Sequence, residues 1–358
     1  MSTAGPDAPR QGEPTPPNGD LPLVPPGTDP TGGCGDGCGC AAGADDADGE
    51  RDLVECGLDP DLVRLLEAAG LNPLQVEDIA HLAIAEDLDG GVDVTTLATV
   101  PADAVATADF VARAPGTVAG LRIAEAVLSV VCEDEFEVER HREDGDRVEP
   151  GDLLLSATAR TRDLLTAERG ALNLLGRLSG IATATRAWAD ALEGTGARVR
   201  DTRKTTPGLR ALEKYAVRCG GGLNHRMSLS DAVLIKDNHV VAAGGVAEAF
   251  AAVRAVLAEA GAPDLPVEVE VDRLDQIEPV LAAGAELLLL DNFTPEETRR
   301  AVELVAGRAA LESSGGLDLA GARAYADTGV DYLAVGALTH SSPVLDIGLD
   351  LRAAEGDD

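Results

Sequence analysis

Apolar residues recur with two different periods along this chain, and the change of period divides it. From about residue 55 the spacing is helical, over Asp59–Ala69 and again over Gln75–Glu86. Segments around Ala106–Arg113 and Glu135–His141 alternate apolar with polar residues, as half-buried strands do. Glu143–Leu155 reads as a turn-rich hairpin through Asp144-Gly145 and Pro150-Gly151. Together they predict an N-terminal α+β sandwich domain over residues 55–167, joined to the rest by a long helical stretch, Thr161–Glu193. Beyond it come short segments, with helical stretches between them, whose apolar runs are continuous at Ala232–Lys236, Leu287–Asp291, Arg308–Glu312 and Tyr332–Gly336 and interrupted by charged residues at Ala197–Thr202 and Val267–Val271. Strands covered on both faces need that pattern. Residues 168–340 are therefore expected to form an incomplete, six- to seven-stranded TIM-like α/β barrel, with 341–352 returning to the N-terminal layer.

Residues 1–50 fit neither period. They are rich in Pro, Gly and Asp and poor in large apolar side chains, so they cannot bury enough surface to offset ordering entropy, and a disordered arm is expected. Cys34, Cys38 and Cys40 lie in it among glycines; they could chelate a soft metal given a fourth ligand, yet their spacing matches no strong zinc signature. Cys56, Cys132 and Cys219 are scattered and read as buried thiols of a reducing cytosol. No apolar run approaches the ~20 residues of a membrane span, and the first residues lack a basic stretch followed by an apolar one. A cytoplasmic protein without a membrane partner is expected.

Charge then singles out one window. The chain carries 63 acidic residues against 29 Lys plus Arg, a net charge of −34 that resembles proteins of salt-loaded cytoplasm and argues against a nucleic-acid partner. All three lysines, Lys204, Lys214 and Lys236, nevertheless fall within residues 201–236, together with Arg203, Arg210, Arg218 and Arg226. These seven basic residues face three acids, Asp201, Glu213 and Asp231, a local excess of +4. A helix face laced with ion pairs would account for the cluster, and so would a pocket for an anionic ligand. The absence of lysine elsewhere favours the pocket.

The polar residues sit where a barrel places chemistry. Arg203 and Lys204, Lys236, Glu270, Asp291, Glu312 with Ser314, and Gly336 all lie at or just beyond the carboxyl end of an expected strand. Arg203, Lys204, Arg226 and Lys236 can hold a polycarboxylate or phosphate through charge-assisted bonds, each worth about 1.5–3 kcal/mol. Glu270 and Asp291 oppose them; paired acids beside phosphates hold Mg2+, often through water, or stabilise a developing positive centre. Ser313-Ser314-Gly315-Gly316 and Val335-Gly336-Ala337 follow consecutive late strands, where small residues let backbone N–H groups reach a phosphate.

Ordered motifs point further. Glu86-Asp87-Leu88, Asp93-Val-Thr-Thr96, Glu168-Arg169 with Ala171-Leu-Asn173, Asp201-Thr-Arg-Lys-Thr-Thr-Pro-Gly-Leu-Arg210, Gly220-Gly-Gly-Leu-Asn-His225-Arg226, Lys236-Asp-Asn-His239, Glu268-Val-Glu270, Leu290-Asp-Asn-Phe293, Glu312-Ser-Ser-Gly-Gly316 and Gly336-Ala-Leu-Thr-His340 resemble the quinolinate phosphoribosyltransferase family, across about residues 70–352. Gly170 stands where that family often has threonine, Ser228 where glycine is frequent, and residues 1–50 have no counterpart in it.

The resemblance implies transfer of phosphoribose from 5-phosphoribosyl 1-pyrophosphate (PRPP) to the ring nitrogen of quinolinate. Pyrophosphate and the 2-carboxylate, as CO2, are lost, giving nicotinate mononucleotide for de novo NAD biosynthesis. It implies a quinolinate pocket of Arg169, Thr202, Arg203, Lys204, His225, Arg226 and Lys236, with Glu270 and Asp291 on ribose and Mg2+-pyrophosphate. Ser314, Gly315, Gly316, Val335, Gly336, Ala337 and His340 would form the 5-phosphate site. Lys204, Lys236, Glu270 and Asp291 are then the catalytic residues. Arg169 would reach the pocket of a neighbouring subunit, which implies a homodimer at least. The cysteines gain no catalytic role, His81 and His141 read as surface or packing residues, and His225 and His239, beside the pocket, as functional. Three rivals stand beside this reading: a paralogue of the same fold (nicotinate-specific or of the molybdenum-operon type), a non-catalytic binding protein, and a metal or redox module built on the cysteine arm. The full cationic set favours two substrate carboxylates, and retention of Glu270 and Asp291 favours an enzyme.

Overall fold

Two Asx-Pro sequences start the first two helices. The computed structural model describes residues 56–132 and 136–353, so the 1–50 arm with Cys34, Cys38 and Cys40 lies outside the described residues. Helix α1 (Pro60–Ala68) begins where Asp59 Oδ1 accepts the N–H groups of Asp61 and Leu62 at 2.7 and 3.3 Å. Helix α2 (Pro73–Leu88) begins where Asn72 Oδ1 accepts those of Leu74 and Gln75 at 3.0 and 3.4 Å. Proline at the first helical position supplies a preset φ and lacks only an N–H that had no partner there. Asp93 caps α3 (Val94–Thr99) in the same way.

The first layer continues with β1 (Val105–Ala112), β2 (Gly116–Thr117), α4 (Leu121–Cys132), β3 (Phe136–Arg140), β4 (Arg147–Val148), β5 (Leu153–Arg160) and α5 (Thr161–Ala191). Phe110, Leu121, Leu128, Leu154 and Leu164 are fully buried in its core, each contributing about 1.5–3 kcal/mol. Helix α4 escapes the periodicity argument because it is buried on nearly every side, leaving no polar face to reveal it. The hairpin expected over Glu143–Leu155 does not form. Both turns do, with Gly145 at φ 101° and Gly151 at φ 94°, but the intervening β4 pairs with β2, while β5 pairs with β1 and β3. Turn residues set the bends and leave the pairing partner to long-range packing.

Six strands and their helices make the second layer: β6 (Arg198–Arg200), α6 (Arg210–Cys219), β7 (Val233–Ile235), α7 (Asp237–Ala243), α8 (Val246–Glu259), β8 (Val267–Val271), α9 (Ile277–Ala282), β9 (Leu287–Asp291), α10 (Pro295–Val305), β10 (Ala310–Ser314), α11 (Ala322–Ala326), β11 (Tyr332–Ala334) and α12 (Ala337–His340). The strand order is β6-β11-β10-β9-β8-β7, all parallel, the incomplete TIM-like barrel that the apolar runs predict. A seventh position exists only as one parallel rung between Arg200 and Leu223. Strand β10 starts two residues later than expected, because Arg308 belongs to the preceding turn and donates to Glu278 Oε2 at 3.0 Å and to the Val305 carbonyl at 3.1 Å.

The chain then returns to the first layer. Strand β12 (Ile347–Ala353) pairs antiparallel with β1, from Ala112 opposite Ile347 onward, giving the sheet order β12-β1-β5-β3. On the way it crosses α5 at a notch of two glycines: the Leu345 N–H donates to the Gly176 carbonyl at 2.9 Å, and a Cβ at Gly180 would collide with the Pro343 carbonyl. Among the described residues no single helix is long and apolar enough to cross a membrane.

Candidate active site

The loop after β6 is fixed before any ligand is considered. Thr339 Oγ1 donates to the Lys204 carbonyl at 2.9 Å, and buried Glu213 accepts the Thr206 N–H at 3.0 Å and the Arg177 guanidinium at 2.8 Å. Thr202, Arg203 and Lys204 on this loop join His225, Arg226 and Lys236 around a cavity of about 260 Å3, whose remaining lining is Leu234, Leu289, Ala334, Glu312 and Ser314. Cationic walls therefore stand on an apolar floor. Among the described residues Arg203, Lys204 and Arg226 make no ion pair. Arg203 Nε is buried without a hydrogen-bond partner. Burial, and then the charge of Arg203, hold Arg226 below the usual arginine range, and its Nη1 donates only to the Ala232 carbonyl, at 3.1 Å. In a chain so rich in carboxylates, cations left without one are available to an anion.

Lys236 Nζ donates to Glu270 Oε2 at 2.7 Å, which ties this acid to the cavity although neither Glu270 nor Asp291 lines it. Burial, and then the Glu270 charge, push the Asp291 carboxyl above its ordinary range, and the two acids stand on the paired strands β8 and β9. Asn292, at φ 59°, orients Asp291 by donating Nδ2 to its Oδ2 at 2.7 Å. A Cβ at Gly315, itself at φ 96°, would lie 2.8 Å from the Asn292 nitrogen, so only glycine fits there.

Several expected site residues lie outside the cavity lining. Gly315 and Gly316 follow β10, Val335 is buried behind β11, and Gly336, Ala337 and His340 belong to the α12 turn. Gly336 still borders the site: a Cβ there would lie 3.0 Å from Lys204 Cδ, 3.3 Å from His340 Nε2 and 3.4 Å from Thr202 Oγ1. Arg169 stands apart on α5, its side chain 60% exposed and 3.7 Å from Glu168 Oε1. His239 is exposed, and its Nδ1 accepts the Lys236 N–H at 2.9 Å, a capping contact for α7. His81 is exposed, and His141 Nε2 lies 3.0 Å from Ser156 Oγ in the first layer. Burial pushes the Cys132 and Cys219 thiols up to about 12, so both stay protonated.

The basic window itself is divided. Lys214 is fully buried against Asp201, Arg210 donates to the Met227 carbonyl at 2.9 Å, and Arg218 donates to Asn224 Oδ1 at 2.8 Å. These three hold loops, which the charge count could not separate from the four pocket cations. Two acids were left without a role by the sequence: Glu312, which lines the cavity, and Glu268, buried next to it. Both are buried on the inner face of their strands, and the alternation Glu268-Val269-Glu270 was the available signal. His225 Nε2 lies 2.7 Å from Glu268 Oε2 and 3.6 Å from Glu312 Oε1, while Arg200 Nη1 donates to Glu312 Oε2 at 2.6 Å. The density of donor atoms suits a metal ion, but the hydrogen bonds do not. His225 Nδ1 accepts the Arg226 N–H at 2.7 Å, which puts the ring proton on Nε2, directed at Glu268. A cation on Nε2 would require a proton on Nδ1, facing another N–H.

Residues 93–179 match the family model of the quinolinate phosphoribosyl transferase N-terminal domain, and residues 181–350 that of its C-terminal domain. The carboxylating nicotinate-nucleotide pyrophosphorylase of Mycobacterium leprae (strain TN) is 56% identical over 278 residues, covering 76% of this chain and 96% of the relative. A probable carboxylating nicotinate-nucleotide pyrophosphorylase of Bacillus subtilis (strain 168) is 38% identical over 281 residues, covering 78% of this chain and 95% of the relative. The solved structure of NadC from Streptococcus pyogenes superposes with a TM-score of 0.75 at 40% identity, over 80% of this chain and 99% of that one.

Proposed function

The chain belongs to the quinolinate phosphoribosyltransferase family, and from that premise we propose how its residues divide the reaction. The reaction transfers phosphoribose from PRPP to quinolinate with decarboxylation, yielding nicotinate mononucleotide, pyrophosphate and CO2 in de novo NAD biosynthesis. One observation carries the assignment of roles. Arg203, Lys204, Arg226 and Lys236 surround an apolar floor of Leu234, Leu289 and Ala334, and a flat aromatic dicarboxylate needs that combination.

Arg203, Arg226 and Lys236 take the two carboxylates, and the floor takes the ring. Lys204, packed against Gly336, borders both substrates, while Ser314, Gly315, Gly316, Val335, Gly336, Ala337 and His340 receive the 5-phosphate. Attack by the ring nitrogen on the ribose carbon breaks the bond to pyrophosphate, and positive charge develops at that carbon. Glu270 and Asp291 face it and stabilise it. Carboxylates on two paired strands beside the cavity suit a hard divalent cation, so Glu270 and Asp291 would hold Mg2+, which when bound neutralises pyrophosphate charge. The pyridinium nitrogen then draws the electron pair left when the C2–carboxylate bond breaks, and a proton fills C2. No protein nucleophile is required. Positioning and electrostatics do the rest.

Arg169 is exposed on α5 and does not line this cavity, so we assign it to the pocket of a second copy and the protein to a homodimer or larger assembly, acting in the cytoplasm. Purified protein incubated with quinolinate, PRPP and Mg2+ should release nicotinate mononucleotide and CO2 in equal amounts. Comparable kcat/KM for nicotinate would overturn the two-carboxylate pocket, because a vacant cationic site costs the smaller substrate its binding. Mixing inactive Arg169→Ala with inactive Lys236→Ala should restore part of the activity through hybrids with one intact site; subunit exchange without recovery sinks the shared-site assignment.

A further inference from the structure

Lysine is scarce enough in this chain for each one to need a reason. Lys204 and Lys236 border the cavity. Lys214 does not. It lies on α6, fully buried, where its ammonium donates to Asp201 Oδ1 and, at 2.9 Å, to the His225 carbonyl. Asp201, equally buried, accepts the His225 N–H at 2.8 Å on the same oxygen and the Asn224 amide at 2.6 Å on the other. Asn224 also donates to the Lys214 carbonyl at 2.8 Å. One aspartate and one lysine thus hold both the N–H and the C=O of His225, the residue that precedes Arg226. From there the constraint passes on through His225 Nδ1, which takes the Arg226 N–H.

Stability alone is a poor reason for such a pair. Replacing a buried ion pair by apolar side chains of similar volume is often neutral or stabilising, whereas its hydrogen bonds impose one geometry. Arginine, which supplies all but three of the 29 Lys plus Arg side chains of this chain, is a broad planar fork. A compact ammonium fits a closed space and reaches two acceptors from one atom.

We propose that the buried Asp201–Lys214 pair is a positioning device for substrate recognition: it fixes Asn224–Arg226 so that Arg226 and the edge of His225 meet a carboxylate of the pyridine substrate, while neither Asp201 nor Lys214 touches that substrate. The inference rests on the reading of the cavity given above. The pair sets where a cation stands, and the cavity cations do the binding.

Steady-state kinetics on the full-length protein separate this from a merely structural role. The double variant Asp201→Asn/Lys214→Met removes both charges and keeps the volume, so it should fold; Lys214→Gln carries the same expectation if it does not. Leu212→Ala, on the same helix and 1% exposed, lowers stability without touching the pair. The pair variants should raise KM for quinolinate at least tenfold with KM for PRPP within twofold, and Leu212→Ala should move neither beyond twofold. An unchanged quinolinate KM in the folded double variant, or equal rises in both KM values, overturns the proposal. Arg226→Ala reports on the cavity itself: if it leaves the quinolinate KM unmoved, the cavity assignment has failed, whereas a rise there without one in the pair variants defeats the positioning role alone.

Discussion

Two lysine–carboxylate pairs lie in the same barrel, one under the cavity and one at its mouth. Lys214 and Asp201 have side chains 0% exposed, whereas Lys236 and Glu270 are 49% and 9% exposed. The chemistry is the same and the solvent differs. Under the cavity, burial pushes Asp201 up and Lys214 down from their ordinary values, and the charge of each opposes the shift of the other, so neither can be removed without exposing its partner to burial alone. At the mouth, water competes for the ammonium, and in the role we propose for it Lys236 trades Glu270 for a carboxylate that arrives with substrate. Burial decides which pair is framework and which is a ligand.

That contrast breaks most visibly at the mouth. Lys236→Ala should lower kcat/KM by about a thousandfold, while the urea midpoint shifts little, since an exposed pair contributes about 0–1 kcal/mol. A stability loss as large as that of a Lys214 variant would erase the distinction. The reverse is expected below. Lys214→Met leaves Asp201 buried and unpaired, so unfolding free energy from urea titration should fall by about 3–5 kcal/mol. A loss under about 1 kcal/mol would mean that water already reaches the pair.

The next prediction sharpens the comparison with a second buried acid. Burial, and then the Glu268 charge, push Glu312 up to about 8 from an ordinary 4.5. The folded protein therefore holds a proton that the unfolded chain releases. Glu312 contributes stability that is fully present below about 4.5 and is lost as pH rises through about 8. Glu312→Gln, which carries no titrating proton, should flatten the decline in stability across that window, by at most about 1.4 kcal/mol per pH unit. Parallel profiles for parent and variant would show that Glu312 is ionised throughout. The smallest effect belongs to His239→Ala, which removes one exposed cap from α7: about 0.5–1.5 kcal/mol in urea, with kcat/KM within threefold. A hundredfold fall would return His239 to the reacting groups.

Much of this was legible in the amino-acid sequence, and the failures share a cause. Val267–Val271 and Leu287–Asp291 were readable residue for residue, and in the second an unbroken apolar run that ends in an acid marks both a parallel strand and its carboxyl end. The cavity cations Arg203, Lys204, Arg226 and Lys236 were readable from charge against composition. Lys214 was counted with them, since formal charge is the same in a closed core and in an open pocket. Glu268 and Glu312 were quoted within motifs and given no task, because a carboxylate's role depends on neighbours contributed by other strands. The mispaired β4 failed for the same reason: its turns were local and its partner was not.

The crossing of α5 by residues 343–345 has a consequence for the order in which the molecule is made. Strand β1 leaves the ribosome early, but its edge partner β12 is translated only after the whole barrel, and Gly176 and Gly180 wait just as long for the segment that seats in their notch. Until then the first sheet presents an open edge, the kind of surface on which nascent chains pair with one another. The barrel strands are all complete before that moment. Translation therefore runs opposite to closure. The layer begun first is finished last, and β12 is the clasp that shuts it.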